Sequence, residues 1–404
     1  MMCEDGVVGC EVPLTGDPYF EGIRPYLDSE VPAVLRELLG SAEVIGIVRH
    51  FFGPLSESEL EQMMAGVDGV NSFKKRFLAP VADKIRKASC ESLTISGCSH
   101  LDRSGGEKYL FISNHRDIIL DSAFLNLMML EHGLSLPRMA IGDNLLIMPW
   151  IEQLVRLAGA FIVKRHPSIR EMLQESKRLS SYIRSSILHG EESVWLAQSE
   201  GRRKNSDDRT QTAILKMLSL SSKERDLAKA LTPLHITPMS ISYEYDPCDY
   251  LKAQEMQEKR DNPEWKKSAL DDLQNMRSGL EGNKGRVHIA IGTPLRDLEG
   301  LLEHTSTPKD ALQVVASEID RQIFLGYRFY PCNYIAYDLL YGGGSFGSMY
   351  STKERAAFEL YLEGQMEKIK VSSGQKDSTF LRGKLLEMYA MPLRNHLKTK
   401  GEIR

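Results

Sequence analysis

From residue 92 onward, segments with strand character alternate with segments with helix character, and no other feature of the sequence constrains the fold as strongly. Short apolar or alternating runs that end in glycine or polar residues predict strands at 92–97, 108–113, 158–163, 193–197, 234–243 and 287–291. Between them, helices are predicted at 121–131 and 168–188. This alternation is typical of an α/β fold, so we expect a mostly parallel central sheet flanked by helices.

The two ends of the chain lack strand signals and are predicted to be helical additions to the sheet. Residues 17–90 have apolar residues at helical spacing, and further helices are predicted after Ser351 and up to Lys400. We therefore predict an N-terminal helical module at 1–90, a central α/β domain at 91–300 and a C-terminal helical extension at 301–404.

Two segments outside the predicted strands admit more than one interpretation. Residues 249–282 are charged and helical, which fits a solvated helical hairpin; the alternative is a lid over a substrate. The glycine-rich stretch 342–347 superficially resembles a phosphate loop but lacks the G-K-[ST] ending, which favours a flexible linker.

Composition excludes several classes of protein. Lys plus Arg number 51 and Asp plus Glu 55, so there is no global attraction to nucleic acid. No run approaches the roughly 18 apolar residues of a membrane span, and acidic residues near the start argue against a secretory signal. The six scattered cysteines fit reduced thiols better than disulfides or zinc ligands. We expect a cytoplasmic protein without a metal centre, with any membrane contact made from the surface.

The strongest candidate for chemistry is the segment FISNHRDIILD at 111–121, where a strand runs into a turn and then a helix. Ligands bind at the carboxyl ends of strands in α/β sheets, and a histidine there can act as a general base. Within one helix, six residues turn by about 240°, so Asp121 reaches His115 only if His115 precedes the helix. Asp117 is the alternative partner. A capping turn with an exposed salt bridge is an equally good interpretation of this segment alone.

Two other predicted strands end in charged residues. Lys164 and Arg165 follow one strand, and an arginine fork suits a phosphate or carboxylate. Glu200 follows another strand and precedes Arg202, Arg203 and Lys204, which could bind an anion. Each cluster alone also fits plain solvation of a strand end. If the strands are parallel, however, all three clusters lie at one edge and form a pocket with a base and an anion clamp.

Taken in order, these segments resemble the four motifs of the glycerol-3-phosphate and lysophospholipid acyltransferase superfamily. Asn114-His115 with Asp121 is similar to its N-H-x-x-x-x-D block, with one extra intervening residue. The stretch 159–165 is similar to G-x-x-F-I-x-R, Glu200-Gly-Arg to E-G-x-R, and 236–240 to the short proline-containing fourth block. The resemblance covers about residues 91–298 and implies that 91–300 is an acyltransferase domain with the glycerolipid acyltransferase fold.

The resemblance implies transfer of a fatty acyl group from a thioester to a hydroxyl. His115 would take the hydroxyl proton while Asp121 holds and polarises its ring. Arg165 and Arg202 would bind the phosphate or other anionic head of the acceptor, Glu200 would position the acceptor, and Pro238 would shape the acyl-donor wall. The other substrate-binding residues expected from these motifs are Asn114, Arg116, Lys164, Gly201 and Arg203.

The expected partners are an acyl thioester and a glycerol-phosphate or lyso-lipid acceptor, with no metal or other cofactor. The donor is acyl-CoA or an acyl carrier protein, and the six bases between Lys74 and Lys87 could dock an acidic carrier; a solvated helix face is the alternative. A lipid acceptor also implies peripheral membrane contact, for which 145–151 is one candidate segment. Two other functions stay open: a thioesterase-like hydrolase, and a non-catalytic acyl or lipid binding protein.

Overall fold

A single seven-stranded sheet forms the centre of the computed structural model, which describes residues 13–165, 168–190, 192–372 and 374–403. The strands occur along the sheet in the order β1-β7-β6-β2-β5-β3-β4. Their bounds are Cys90–Ser96 (β1), Leu110–Ser113 (β2), Arg138–Gly142 (β3), Ala160–Val163 (β4), Val194–Ala197 (β5), Ile236–Tyr243 (β6) and Gly285–Ile291 (β7).

Strand direction confirms the predicted α/β class. Five adjacent strands run parallel to one another: β6, β2, β5, β3 and β4. Strand β7 is antiparallel to β6, and β1 pairs in parallel with β7. Side chains of β2 alternate between two cores: Leu110 and Ile112 face one, and Phe111 faces the other. Helices therefore cover both faces, which explains why β2 is buried along its whole length. Strand β3 was not predicted from the sequence.

The N-terminal region is helical, as predicted, but more divided than the sequence suggested. Its helices are Val31–Leu39 (α1), Ala42–Phe52 (α2), Glu57–Ala65 (α3), Val70–Phe73 (α4) and Ala79–Ser89 (α5), with a turn of π-helix at Lys74–Leu78. The apolar stretch 31–52 is two helices because Gly40 ends the first and the Ser41 side chain caps the second. Ser56 and Glu59 form a capping box at the start of α3.

Crossover helices connect the parallel strands. They are Leu120–Glu131 (α6), Pro149–Leu157 (α7), Ile169–Leu188 (α8), Thr212–Ser219 (α9) and Leu227–Leu231 (α10). Helices α5 and α6 pack on the face that contains Phe111, and α8 packs on the opposite face through Tyr182 and Ile183. The sheet thus lies between two helical layers, with its carboxyl-terminal edge open to the crossover turns.

The remaining helices lie after β6. They are Asp249–Asp261 (α11), Ala269–Glu281 (α12), Leu298–Leu302 (α13), Pro308–Gly326 (α14), Pro331–Tyr341 (α15), Thr352–Lys368 (α16) and Ser378–Thr399 (α17). The solvated hairpin expected at 249–282 is wrong for α11, which packs against α16 and α17 and buries Asp249, Lys252 and Glu258. These charges are tolerated inside because each has a hydrogen-bonding partner.

Three features of the described residues bear on membrane insertion, metal binding and disulfide formation. No helix within the described residues is long and apolar enough to cross a membrane. The described ranges also hold no group of three or more potential metal-ligating side chains. Cys90, Cys98, Cys248 and Cys332 are free thiols, while Cys3 and Cys10 lie outside the described residues.

Candidate active site

A large apolar cavity begins at the carboxyl-terminal edge of the sheet, where β2, β4 and β5 end. Its volume is about 960 Å³, within the range of sites that enclose small molecules. Polar groups line it at the strand ends: His115 after β2, Lys164 and Arg165 after β4, and Glu200 after β5. The parallel strands therefore bring the three predicted charged clusters to one place. Most of the remaining wall is apolar and includes Leu35, Val48, Phe77, Leu127, Leu154 and Met276.

His115 and Asp121 form a close pair at this edge. His115 lies in the irregular segment 114–119, called here the active-site turn, and Asp121 lies in the first turn of α6. His115 Nδ1 is 2.7 Å from Asp121 Oδ2. The same oxygen accepts hydrogen bonds from the backbone N–H groups of Arg116 (2.6 Å) and Asp117 (3.1 Å). The six-residue spacing works because the chain folds around this one carboxylate before the helix begins.

Asp117, the alternative partner, has another role in the structure. Its Oδ1 accepts hydrogen bonds from the backbone N–H groups of Ile119 (2.9 Å) and Leu120 (2.8 Å), so it holds the start of α6. Burial and the neighbouring Asp121 charge raise the pKa of Asp117. The geometry therefore pairs His115 with Asp121.

The environment of the His115 ring suits a general base. Its Nδ1 is directed to Asp121, and Nε2 on the opposite side has no hydrogen-bond partner among the described residues. The ring lies edge-on to Trp195 at 5.7 Å, and Trp195 Nε1 donates to Ser113 Oγ at 2.9 Å. The His115 side chain is 17% exposed while that of Asp121 is fully buried. A substrate hydroxyl in the cavity could thus meet an oriented imidazole nitrogen.

The structure does not bring Asn114 or Arg116 to the cavity, although the sequence placed both among the substrate-binding residues. Asn114 Nδ2 donates to the Ile241 carbonyl at 2.9 Å and its Oδ1 accepts from the Ile241 N–H at 2.8 Å. This side chain thereby continues the β2–β6 pairing beyond the end of β2. Arg116 is buried and donates to Asp208 Oδ2 at 2.7 Å. Both side chains are engaged by the protein itself.

Lys164, Arg165 and Glu200 remain at the cavity with partial exposure. Lys164 Nζ is 3.8 Å from Asp143 Oδ2, and Arg165 Nη1 is 3.3 Å from Glu200 Oε1. The Arg165 backbone N–H also donates to Asp143 Oδ1 at 3.1 Å. These ion pairs are loose and accessible, so the two cations can take an anionic ligand in place of their acidic neighbours.

The other predicted binding residues do not line the cavity. Gly201 has φ of 70°, a left-handed conformation that suits glycine, and turns the chain after Glu200. Arg202 Nη2 donates to Asn275 Oδ1 at 3.0 Å, while Arg203 Nε is buried without a hydrogen-bond partner. Pro238 is buried within β6 and does not line the cavity.

Sequence reasoning missed the far side of the cavity, including Lys74. This side chain is 2% exposed, donates from Nζ to the Pro137 carbonyl at 3.0 Å and lines the cavity. Burial lowers its pKa to about 8. Gly159 accommodates it, since a Cβ there would approach Lys74 Cε to 2.9 Å. The apolar stripe of 31–52 was the available signal that these helices cover a cavity.

The burial of Lys74 also reduces the basic surface considered for carrier docking. Arg86 pairs with Asp83 and with Glu131, and Lys87 pairs with Asp83. Lys84 donates to the Phe51 carbonyl at 3.1 Å. The six bases therefore do not form one free cationic face.

One comparison with known proteins covers the segment that contains the four motifs. Residues 92–242 match the family model described as Acyltransferase. No curated protein matches the chain. A similar solved structure is the 1-acyl-sn-glycerophosphate (LPA) acyltransferase PlsC from Thermotoga maritima, with 10% identity over 75% of this chain and 96% of that chain, and a TM-score of 0.36. The match of residues 92–242 to the family model confirms the resemblance seen in the motifs.

Proposed function

We propose that the protein transfers a fatty acyl group from an acyl thioester to a hydroxyl of a glycerol-phosphate or lyso-lipid acceptor. The observation that carries the proposal is the His115–Asp121 pair at the mouth of a large apolar cavity, within an acyltransferase-family segment. An apolar cavity suits an acyl chain, and a histidine oriented by a carboxylate suits proton transfer from a hydroxyl.

In the proposed reaction His115 Nε2 takes the proton of the acceptor hydroxyl as its oxygen attacks the thioester carbonyl. The tetrahedral intermediate collapses when the C–S bond breaks, and the leaving thiolate receives the proton from His115. Asp121 keeps the proton on Nδ1 and stabilises the imidazolium that forms in between. The step forms no covalent acyl-enzyme and needs no metal or further cofactor.

The cations at the cavity mouth support an acceptor with an anionic head. Lys164 and Arg165 lie on the same edge as His115 and are partly exposed, so a phosphate bound there would place a nearby hydroxyl beside the imidazole. The donor thiol carrier would be coenzyme A or an acyl carrier protein. Of the six bases between Lys74 and Lys87, the exposed ones that an acidic carrier could contact are Lys75, Arg76, Lys84 and Lys87.

The proposed acceptor implies peripheral membrane contact, which we place at the cytoplasmic face of the membrane, and the apolar rim of the cavity supports such contact. Five apolar side chains both line the cavity and are between 39% and 52% exposed. This apolar rim consists of Ile47, Ile147, Met148, Met172 and Leu273. A bilayer in contact with the rim would let a lipid tail enter the cavity without crossing water.

The activity test is thiol release from palmitoyl-CoA and from palmitoyl carrier protein, with glycerol 3-phosphate, lysophosphatidic acid, a lyso-aminolipid or no acceptor. We expect acceptor-dependent release that His115→Ala reduces at least about a hundredfold. His132→Ala is the matched control, since His132 lies at the other end of α6 and bonds the Met128 carbonyl at 2.8 Å. Release without acceptor would instead identify a hydrolase, and binding of palmitoyl-CoA without release would identify a binding protein.

The membrane contact is tested by flotation with vesicles of phosphatidylcholine and phosphatidylglycerol. Met172→Glu should reduce the bound fraction because it places a charge on the apolar rim. Leu360→Glu is the control, since Leu360 is 69% exposed on α16 and does not line the cavity. Equal binding of the two variants would contradict contact through the rim.

A further inference from the structure

The active-site turn lies between a strand and a helix, and side chains fix much of its backbone. Asp121 accepts hydrogen bonds from the N–H groups of Arg116 and Asp117, and Asp117 accepts from the N–H groups of Ile119 and Leu120. The Arg116 carbonyl accepts from Lys252 Nζ at 3.2 Å. A residue of α11, outside the family-matched segment 92–242, thus contacts the residue next to His115.

Lys252 is well placed to hold this carbonyl. The side chain is 3% exposed, and its ammonium also forms an ion pair with Asp246. Asp246 is itself fixed because its Oδ1 accepts from the Cys248 N–H at 2.9 Å. The ammonium is therefore held between a fixed carboxylate and the turn, with little freedom to move.

The side chain of Arg116 is fixed from a second direction. Its Nη2 donates to Asp208 Oδ2 at 2.7 Å, and the Tyr327 hydroxyl donates to the same oxygen at 2.6 Å. Both members of the Arg116–Asp208 pair are at least nine-tenths buried. The carbonyl and the guanidinium of one residue are thus bound by elements that lie far apart in the chain.

We propose that Lys252 is a positioning residue for His115, acting through the Arg116 carbonyl, and that α11 is therefore part of the machinery of acyl transfer. A tilt of the Arg116 peptide would rotate the adjoining His115 relative to Asp121 and to the cavity. A misplacement of about 1 Å can cost about a hundredfold in rate. The expected effect of Lys252 on the rate of acyl transfer rests on the proposed function. Its expected effect on the orientation of the His115 imidazole does not.

The decisive comparison is between Asp246→Asn and the double variant Asp246→Asn/Lys252→Met. The double variant removes both charges, which avoids leaving one unpaired buried ion and favours folding. Asp246→Asn keeps the Lys252 ammonium beside the Arg116 carbonyl but removes the carboxylate that holds it from the other side. Lys376→Met is a further control, since Lys376 also bonds backbone carbonyls, among them that of Ile369 at 3.3 Å.

The measurements are kcat and KM for acyl transfer, the thermal midpoint, and the titration of the His115 ring by NMR with ¹³C at histidine Cε1. We expect the double variant to lose about ten- to a hundredfold in kcat with KM within twofold, and to shift the His115 resonance. Lys376→Met should leave kcat within about threefold and that resonance in place. Asp246→Asn should have a smaller effect on both than the double variant, because the Lys252 ammonium is still present.

Two outcomes would overturn the proposal: an unchanged His115 resonance in the double variant, or equal changes in the two Asp246 variants. A lower thermal midpoint with unchanged kcat and resonance would make Lys252 structural only. A shifted resonance in a protein without acyl transfer would leave the positioning role standing and reject the proposed function.

Discussion

Replacing Lys74 by methionine should change stability in opposite directions at pH 7 and pH 10.5. The ammonium is buried against the cavity, and burial lowers its pKa from 10.5 to about 8. A shift of this size corresponds to about 3 kcal/mol, which is the cost of keeping the charge in the folded protein. At pH 7 the amine is charged in both the folded and the unfolded chain, so the whole cost is present.

The direction in which stability changes with pH follows from proton binding by Lys74. Between pH 8 and 10.5 the folded protein has released the Lys74 proton while the unfolded chain still holds it, so stability rises with pH in this window. Lys74→Met removes that dependence and the charge cost. It also leaves the Pro137 carbonyl without its donor, at a cost of about 1 kcal/mol. We expect the variant to be about 2 kcal/mol more stable at pH 7 and roughly 1 kcal/mol less stable at pH 10.5.

Urea unfolding followed by tryptophan fluorescence measures the difference between the two proteins at each pH. Tyrosines and cysteines that titrate in this range are common to both, so their contributions cancel. A stability difference that is the same at pH 7 and pH 10.5 would refute the reasoning, since it would mean that Lys74 carries no buried charge at neutral pH.

Further predictions concern other buried groups. Burial and the nearby Asp246 charge raise the pKa of Asp249 to about 7, so its contribution to stability is present below about pH 4 and is lost as pH rises to 7. Asp249→Asn should remove this loss. Equal pH dependence of the unfolding free energy in the wild type and the variant, measured by urea unfolding, would contradict this. In Gly279→Ala the new Cβ would lie 2.1 Å from Asp117 Oδ2, so we expect a lower thermal midpoint and reduced acyl transfer. A wild-type thermal midpoint and rate in this variant would contradict the close approach of Gly279 to Asp117. Asn114→Leu should lower the unfolding free energy by about 2 kcal/mol, because the Ile241 N–H and carbonyl lose their partners. An unchanged midpoint of urea unfolding would show that the two Asn114–Ile241 hydrogen bonds are dispensable.

The meeting of charged residues at one edge of the sheet was predictable because it depends on strand direction and chain order. The charged residues after 108–113, 158–163 and 193–197 meet in space because β2, β4 and β5 are parallel, which strand-helix alternation implies. The need for His115 to precede the helix was likewise a consequence of helix geometry, and the structure places it there.

Strand β3 was missed because it carries a weak local signal. Its sequence RMAIG is five residues long, begins with arginine and ends with glycine. Its pairing with β4 and β5 stabilises it, and such long-range pairing has no counterpart in the local pattern.

The direction of charged side chains was the other feature that could not be predicted from the sequence. Arg116 was expected to bind substrate because of its neighbour His115, yet its guanidinium pairs with Asp208, 92 residues further along the chain. Helix α11 was expected in solvent because of its charges, but Lys252 and Asp249 have buried partners on other elements. Composition counts charges without showing where their partners lie.

The apolar cavity is enclosed by segments on both sides of the family-matched residues. Its His115–Asp121 pair comes from the turn after β2 and the start of α6, whereas much of its wall comes from α1, α2 and α5 before the matched segment and from α12 after it. Exchange of bulky and small residues on α1 or α2 can therefore reshape the space available to a lipid tail while His115 and Asp121 stay in place. The converse also holds: a fragment cut to residues 92–242 would expose an open apolar trough to water and would be prone to aggregate.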